Sequence, residues 1–186
     1  VRCLAAEPNP GHRALADLER RVTARGGGMR ILTQNVDGLH QRAGSDDVVE
    51  LHGSITRWRC TRTGRPVTPD PAPMTRFPPP SPHAAGDPEA MLRPDVVWFG
   101  EMLPAEALRL AHEAMETCGC FLSVGTSSLV HPAAGFIDVA LDAGVPVIEV
   151  NPGDTAASDR VTHRLTAAAG IALPRLVAEA FGDQGT

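Results

Sequence analysis

The run from Ile31 to Gly53 constrains the fold more than any other stretch, because two short apolar segments in it each end in polar residues. The first segment, Met29 to Leu32, leads into a polar cluster of Thr33, Gln34, Asn35 and Asp37. The second segment, Val48 to Leu51, ends on His52-Gly53. Apolar strands that stop at polar clusters are typical of a parallel sheet with a ligand site beyond the carboxyl ends of its strands.

The rest of the chain alternates between helical and strand patterns. Helical spacing of apolar residues predicts helices over Pro10–Arg25, Leu39–Ala43, Pro104–Thr117, His131–Gly144 and Leu173–Phe181. Short apolar runs predict further strands over Val96–Phe99, Cys120–Val124 and Val145–Val150. This alternation favours an α/β fold, with a Rossmann-like parallel sheet and helices on both faces.

Residues 57–93 break the alternation. They are rich in Pro, Arg, Thr and Ser, and the run Pro78-Pro79-Pro80-Ser81-Pro82 excludes a helix or a central strand there. We therefore predict a Rossmann-like core over residues 1–57 and 94–186, and a small, loop-rich and partly mobile insert over residues 58–93.

Composition narrows the class of protein. A chain of 186 residues with 42% apolar residues is long enough to bury a sizeable core. A net charge of −5 gives no reason to expect nucleic-acid binding, and no apolar run approaches the roughly 20 residues of a membrane span. The cysteines, which are Cys3, Cys60, Cys118 and Cys120, form no C-x-x-C pair and suggest no disulfide framework, so a reducing cytoplasm is the expected location.

Three predicted strands end in small or polar residues: Thr33-Gln34-Asn35, Gly125-Thr126-Ser127 and Asn151-Pro152. Carboxyl ends of parallel strands lie at one edge of a sheet. Gly125 permits close approach of a phosphate or ribose, and the helix after Ser128 presents free N–H groups. Together these features indicate a nucleotide site. His52 is the best candidate for a proton acceptor beside it, because imidazole titrates near neutral pH.

Each of these residues also has a purely structural interpretation. Asn35 and Asp37 could bond their own backbone in a turn, and His52 could be held by a backbone carbonyl. The Gly125 segment could be a turn that caps a helix. His12 fits the start of a helix better than a ligand-binding role.

Four blocks of the sequence resemble, in the same order, the sirtuins, a family of NAD-dependent protein deacylases. The blocks are Thr33–His40, Glu50–Ser54, Arg93–Glu101 and Val124–Ser128. The block Arg93–Glu101 is most similar to the class III, desuccinylase-like branch of the family.

This resemblance implies a role for each matching residue. Gln34, Asn35 and Asp37 would line the pocket for nicotinamide and its ribose. Further contacts to NAD would come from Gly125, Thr126, Ser127, Asn151, Pro152 and Gly153, with Ala169 beside the adenine. Val97, Trp98 and Phe99 would pair through their backbone with an extended acyl-lysine peptide.

The resemblance also implies the reaction. NAD would be consumed as a co-substrate: nicotinamide leaves, the acyl group passes to ADP-ribose, and His52 takes a proton from the ribose hydroxyls. The expected partner is an acyl-lysine protein or peptide. Binding to nucleic acid or to a membrane is not expected.

The sequence departs from the family in three places. The Gly-Ala-Gly segment that holds the NAD pyrophosphate in sirtuins is not found, and His131 stands where class III members often have tyrosine. Of the two Cys-x-x-Cys pairs that bind zinc in most sirtuins only Cys60 remains, with Thr63 in the place of its partner. His83 and Asp87 do not complete a tetrahedral set with one thiolate, so zinc is not expected.

These departures leave three hypotheses open. The first is an NAD-dependent protein-lysine deacylase. The second is a truncated or degenerate sirtuin that binds NAD, ADP-ribose or a protein partner without catalysis. The third is another doubly wound cofactor domain, such as the central domain of thiamine-diphosphate enzymes, which needs neither His52-Gly53 nor Phe99-Gly100-Glu101.

Overall fold

The computed structural model describes residues 5–68, 77–84, 86–129 and 134–182. The helices in these residues are α1 (Pro10–Ala24), α2 (Leu39–Arg42), α3 (Ala105–Glu116), α4 (Gly135–Asp142) and α5 (Ala169–Phe181), with a 3-10 turn at Pro82–Ala84. The strands are β1 (Ile31–Thr33), β2 (Val48–Glu50), β3 (Gly53–Cys60), β4 (Pro66–Val67), β5 (Leu92–Val96), β6 (Phe121–Val124), β7 (Val147–Val150) and β8 (His163–Leu165).

Helix α1 begins where the sequence predicts and ends one residue earlier, at Ala24, with Arg25 as its C-cap. The Asn9 side chain accepts a hydrogen bond from the His12 N–H at 3.1 Å, and the Asn9 N–H donates to His12 Nδ1 at 3.3 Å. This reciprocal pair satisfies two backbone groups that an open helix end would leave unpaired. Pro10 follows in the first turn, where proline is tolerated. The interpretation of His12 as a helix-start residue is therefore confirmed.

Five strands run parallel, in two hydrogen-bonded groups. β1 pairs with β2, and β6, β7 and β8 pair in that order. No backbone pairing joins the two groups in the part of the chain that the structure describes. Because every connection within a group returns the chain in the same direction, the carboxyl ends of these strands lie at one edge.

Apolar packing covers both faces of the parallel strands. On one face, α1 and α5 pack on β1 and β7 through Leu15, Ile31, Val150 and Leu173. On the other face, α3 and α4 cover β2 and β7, and their buried residues are Val49, Ala107, Ala111, Phe136, Ile137, Ala140 and Val147. The predicted fold class, a Rossmann-like parallel sheet with helices on both faces, is confirmed.

The insert is more regular than predicted. Strand β3 crosses the predicted boundary at residue 57, and β5 crosses the one at residue 93, in an antiparallel sheet of order β4-β3-β5. Residues 58–60, 66–67 and 92–93 of the predicted insert belong to these strands, while most of its other described residues form turns and irregular segments. Residues 69–76 and residue 85 lie outside the described residues, and the division into core and insert stays a prediction.

Three other predicted elements differ in their bounds. The strand expected over Val96–Phe99 is β5, which ends at Val96 and leaves Phe99 fully exposed. Helix α5 begins at Ala169 rather than Leu173, with Pro174 inside it. Helix α4 is described from Gly135, and its predicted start at His131 and Pro132 lies outside the described residues.

In the described residues, no helix is both long enough and apolar enough to cross a lipid bilayer.

Candidate functional site

Polar residues after three parallel strands meet at one edge, as the sequence predicts. The Gln34 side-chain amide, after β1, lies 3.5 Å from the Thr126 hydroxyl, after β6. The Asn151 side-chain amide, after β7, donates to the Thr126 carbonyl at 2.8 Å. The three strand ends are thus joined through Thr126, although β1 and β6 share no backbone ladder.

His52 lies at the same edge and turns towards Gln34. Strand β2 brings it there, with the Leu51 N–H donating to the Thr33 carbonyl at 2.9 Å. Nδ1 of His52 lies 3.0 Å from the Gln34 carbonyl oxygen. The His52 carbonyl accepts from the Val97 N–H at 2.9 Å, which ties the insert sheet to this edge. The half-buried imidazole therefore contacts the predicted nucleotide segment.

Asn35 and Asp37 take part in the turn that follows β1. The Thr33 hydroxyl accepts from the Asn35 N–H at 3.1 Å, and the Asp37 carboxylate accepts from the Leu39 N–H at 3.0 Å. Asp37 thus bonds the backbone two residues further on, in the turn that leads into α2, as the structural interpretation proposed. Asn35 is exposed and Asp37 is half-buried at the ligand edge, so their binding role stays a prediction.

The segment after β6 is a tight turn. Gly125 has φ +63°, and Ser128 has φ +58°, a conformation that residues with a side chain seldom adopt. A Cβ built on Gly125 would meet no atom within 4 Å, so its backbone faces open space. The helix start predicted after Ser128 falls in residues 130–133, which are outside the described residues.

The remaining predicted nucleotide contacts lie after β7 and β8. Pro152 and Gly153 are exposed, and the Gly153 N–H donates to the Asn151 side-chain oxygen at 3.4 Å. Ala169 is the first residue of α5, and its backbone lies 3.1 Å from where a Cβ on Gly11 would stand. The structure therefore places Ala169 against the start of α1.

The predicted peptide segment follows β5 as an exposed turn. Trp98 is 57% exposed and Phe99 is fully exposed. The Trp98 N–H donates to the Glu101 carboxylate at 3.1 Å, and the Trp98 carbonyl accepts from the Glu101 N–H at 2.9 Å. Arg93 pairs with the same carboxylate and lowers the pKa of Glu101. Both backbone groups of Trp98 are thus used inside the turn.

A histidine pair beside Asp37 was missed by sequence reasoning. The rings of His12 and His40 lie with their centroids 4.8 Å apart. Burial lowers the pKa of both rings, and for His40 the neighbouring His12 adds to the effect, while the Asp37 carboxylate acts in the opposite direction on both. The sequence placed His12 in the first turn of α1 and His40 in the short helix after Asp37. Contact between these two helices would have predicted the pair.

The free energy of unfolding should fall when the pH drops below about 6.5, the pKa of an unperturbed histidine. The native rings of His12 and His40 take up a proton less readily than the unfolded chain does, so acid favours the unfolded state. Urea unfolding at pH 7.5 and pH 5.5 measures this loss. Between pH 7.5 and pH 5.5, His40→Gln should lose less unfolding free energy than wild type does. His163→Gln, at an exposed position on β8, should lose as much as wild type. Equal losses in His40→Gln and wild type would contradict the assignment.

Cys60, His83 and Asp87, the insert residues considered as zinc ligands, each contact other groups of the insert. Cys60 is buried, and hydrogen bonds with the side chains of Ser81 and Thr63 lower the pKa of its thiol to about 6. His83 Nε2 lies 3.1 Å from the Pro66 carbonyl, and Asp87 pairs with Arg62. Among the residues that the structure describes, no cluster of three His, Cys, Asp or Glu side chains could hold a metal. The expected absence of zinc stays a prediction.

Comparisons with known proteins agree with this arrangement. A model of the Sir2 family matches residues 1–132. NAD-dependent protein deacylase 2 of Pyrobaculum aerophilum is 47% identical over 174 residues, which cover 94% of this chain and 66% of that protein. The NAD-dependent protein deacylase of Thermus thermophilus is 48% identical over 150 residues, which cover 81% of this chain and 57% of that protein.

A solved complex of Sir2 with a p53 peptide and NAD+ superimposes with a TM-score of 0.80 at 31% identity, covering 98% of this chain and 74% of that one. In the alignments with the two deacylases, the chain spans between half and two thirds of the length of those proteins. Since the family model matches more than half of the chain, and its strand ends meet as the sirtuin blocks predict, the chain belongs to the Sir2 family.

Proposed function

We propose that the protein is an NAD-dependent protein-lysine deacylase, which transfers the acyl group to ADP-ribose and releases nicotinamide. The observation that carries this proposal is the contact of His52 with Gln34 and of Gln34 with Thr126. The predicted proton acceptor and two of the predicted nucleotide-binding segments thus lie within one connected set of groups. The two relatives named NAD-dependent protein deacylase support the proposal.

The edge residues fit a dinucleotide. Gly125 and Gly153 each face open space where a side chain would stand, so a ligand can approach their backbone closely. Asn35 and Ser127 are exposed beside them and offer polar groups to a ribose or phosphate. NAD would supply the ribose carbon that bears nicotinamide, to which the acyl oxygen bonds.

The contact of His52 with a carbonyl decides which ring nitrogen can act as a base. A carbonyl oxygen only accepts hydrogen bonds, so Nδ1 carries the hydrogen and donates to Gln34 at 3.0 Å. The lone pair of the neutral ring then lies on Nε2. In the proposed reaction, Nε2 takes the proton from a ribose hydroxyl, as a general base does.

An acyl-lysine peptide would pair with the turn after β5. The Val97 N–H bonds to His52, and both backbone groups of Trp98 bond to Glu101. Among the described residues, the Val97 carbonyl and both backbone groups of Phe99 have no hydrogen-bond partner, so they remain for an added strand. Val97 and Phe99 are alternate residues, as strand pairing requires. The exposed side chains of Phe99 and Met102 would cover the apolar stem of the lysine.

The proposal predicts that nicotinamide is released from NAD only when an acylated peptide is present. The measurement uses protein expressed from its complete reading frame, with acetyl-, succinyl- and unmodified lysine peptides, and mass spectrometry of nicotinamide and acylated ADP-ribose. Release that needs an acyl-lysine supports the proposal. Release without peptide would indicate hydrolysis of NAD instead, and binding of ADP-ribose without any release would favour the non-catalytic hypothesis.

A further inference from the structure

Glu149 is the most deeply buried charged side chain in the described residues. It is 1% exposed and lies one residue before the end of β7. A buried carboxylate destabilises a fold unless its oxygens are hydrogen-bonded and its charge is paired. The only sequence signal was a charged residue within the apolar run Val145–Val150, and sequence reasoning assigned it no role.

The carboxylate holds two hydroxyls of the loop between β7 and β8. The Thr155 hydroxyl donates to one carboxylate oxygen, and the Ser158 hydroxyl donates to the other at 2.6 Å. Arg164, on β8, lies with Nε 3.4 Å from the same carboxylate and also pairs with Asp154. All the hydrogen-bond donors to Glu149 that the structure describes thus come from one loop, with the charge balanced by the next strand.

The two hydroxyls in turn shape the loop backbone. The Thr155 N–H donates to the Ser158 hydroxyl at 2.8 Å, and the Ala157 N–H donates to the Thr155 hydroxyl at 3.1 Å. Ala157 is completely buried against α4 and β7. Because each hydroxyl bonds both the carboxylate and a backbone N–H, the position of the loop follows the position of Glu149.

This loop contains, or directly contacts, two of the predicted nucleotide segments. It begins with Asn151, Pro152 and Gly153, and the Ala156 N–H donates to the Ser127 carbonyl at 3.4 Å. Asn151 also bonds the Thr126 carbonyl. A shift of the loop would therefore move groups after both β6 and β7.

We propose that Glu149 is a positioning residue for nucleotide binding: its carboxylate fixes the loop 151–158 so that Asn151, Gly153 and Ser127 present a fixed surface to NAD. This inference rests on the proposed function, because it assumes that NAD binds at this edge. Glu149 touches neither ligand nor reacting atoms in this role. It acts through Thr155 and Ser158.

The test compares Glu149→Ala with Glu149→Gln and Thr155→Val in protein expressed from its complete reading frame. Glu149→Ala should raise the KM for NAD and the Kd for ADP-ribose about tenfold or more, with kcat and the KM for acyl peptide within about twofold of wild type. Glutamine can accept from one hydroxyl and donate to the other, so Glu149→Gln should restore most of the affinity. Thr155→Val keeps the shape of the loop residue and should give an intermediate rise.

Glu19 provides a matched control. It is also buried, at 7% exposed, and accepts from the N–H groups of Asp46 and Asp47, before β2 and at the opposite edge of the sheet. Glu19→Ala should leave the Kd for ADP-ribose near that of wild type. A rise in Glu19→Ala equal to that in Glu149→Ala would show a general loss of stability and would overturn the proposal.

Wild-type affinity in both Thr155→Val and a folded Glu149→Ala would also overturn it. Failure of the proposed function would look different. Wild-type protein would then bind ADP-ribose without acyl-dependent release of nicotinamide, and the Kd values of the variants would still test Glu149. Wild-type protein that binds neither NAD nor ADP-ribose would reject both proposals.

Discussion

Replacing His52 by alanine should lower the rate of peptide deacylation, and with it the formation of acylated ADP-ribose, at least about a hundredfold. This is the usual contribution of a general base. The imidazole donates from Nδ1 to the Gln34 carbonyl, which leaves Nε2 as its proton acceptor. Alanine removes both functions. The rate of acylated ADP-ribose formation, followed by mass spectrometry at saturating NAD and peptide, measures the effect.

Two variants separate the proton role from other roles of a histidine. His52→Asn keeps a donor that can reach towards Gln34 but has no base, so its rate should fall about as far as that of His52→Ala. His112→Ala is the matched control, because Nδ1 of this exposed histidine on α3 also contacts a backbone carbonyl, that of Leu108 at 2.7 Å. Its rate should stay within about twofold of wild type. Recovery of the rate in His52→Asn would remove the base from the mechanism.

Replacing Gly53 by alanine should lower the free energy of unfolding by about 3 kcal/mol or more. Gly53 has φ +75°, and a Cβ built on it would stand 2.0 Å from the Asp95 carbonyl oxygen, which belongs to the backbone of β5. Strand β5 must therefore move away from β3. For a chain of this size the loss corresponds to a fall in Tm of roughly 10 °C, which thermal unfolding measures.

Gly64 distinguishes the steric clash from the cost of the backbone conformation. It has φ +67°, close to that of Gly53, but a Cβ there would meet nothing within 4 Å. Gly64→Ala should therefore cost only about 1 kcal/mol, the price of a left-handed alanine. Equal losses in the two variants would show that β3 and β5 do not approach as closely as described. Below its melting temperature, Gly53→Ala should also deacylate peptide more slowly than wild type. The reason is that β5 leads to Val97, whose N–H donates to the His52 carbonyl.

Local sequence signals were sufficient for much of the fold. Asn9, Pro10 and the run Gly26-Gly27-Gly28 mark the two ends of α1, and each acts through the backbone of its own neighbours. The apolar residues of the runs that became β1, β2, β6 and β7 are buried or partly buried in the core, as an apolar run predicts whatever its pairing. The strand ends at Gln34, Thr126 and Asn151 could be expected to meet, because parallel strands place their carboxyl ends together.

Features that depend on distant partners could not be predicted from local patterns. Strand β8 is three residues long, and it exists through its pairing with β7. Phe99 is a large apolar residue of the kind usually found in a core, yet its ring faces solvent. The chain turns at Gly100, and the Glu101 carboxylate holds this turn through the Trp98 N–H. Glu149 looked unremarkable because its partners lie six to fifteen residues further along, where only folding brings them to it.

Three of the contacts that hold the candidate site together end on main-chain oxygens. Carbonyls of Gln34, Thr126 and Ser127 accept from His52, Asn151 and Ala156, respectively. An acceptor that belongs to the polypeptide backbone survives substitution of the residue that supplies it. Exchanging the side chains of Gln34, Thr126 and Ser127 is therefore expected to leave these three contacts in place, so the proposed nucleotide preference can be varied at these positions without displacing the imidazole.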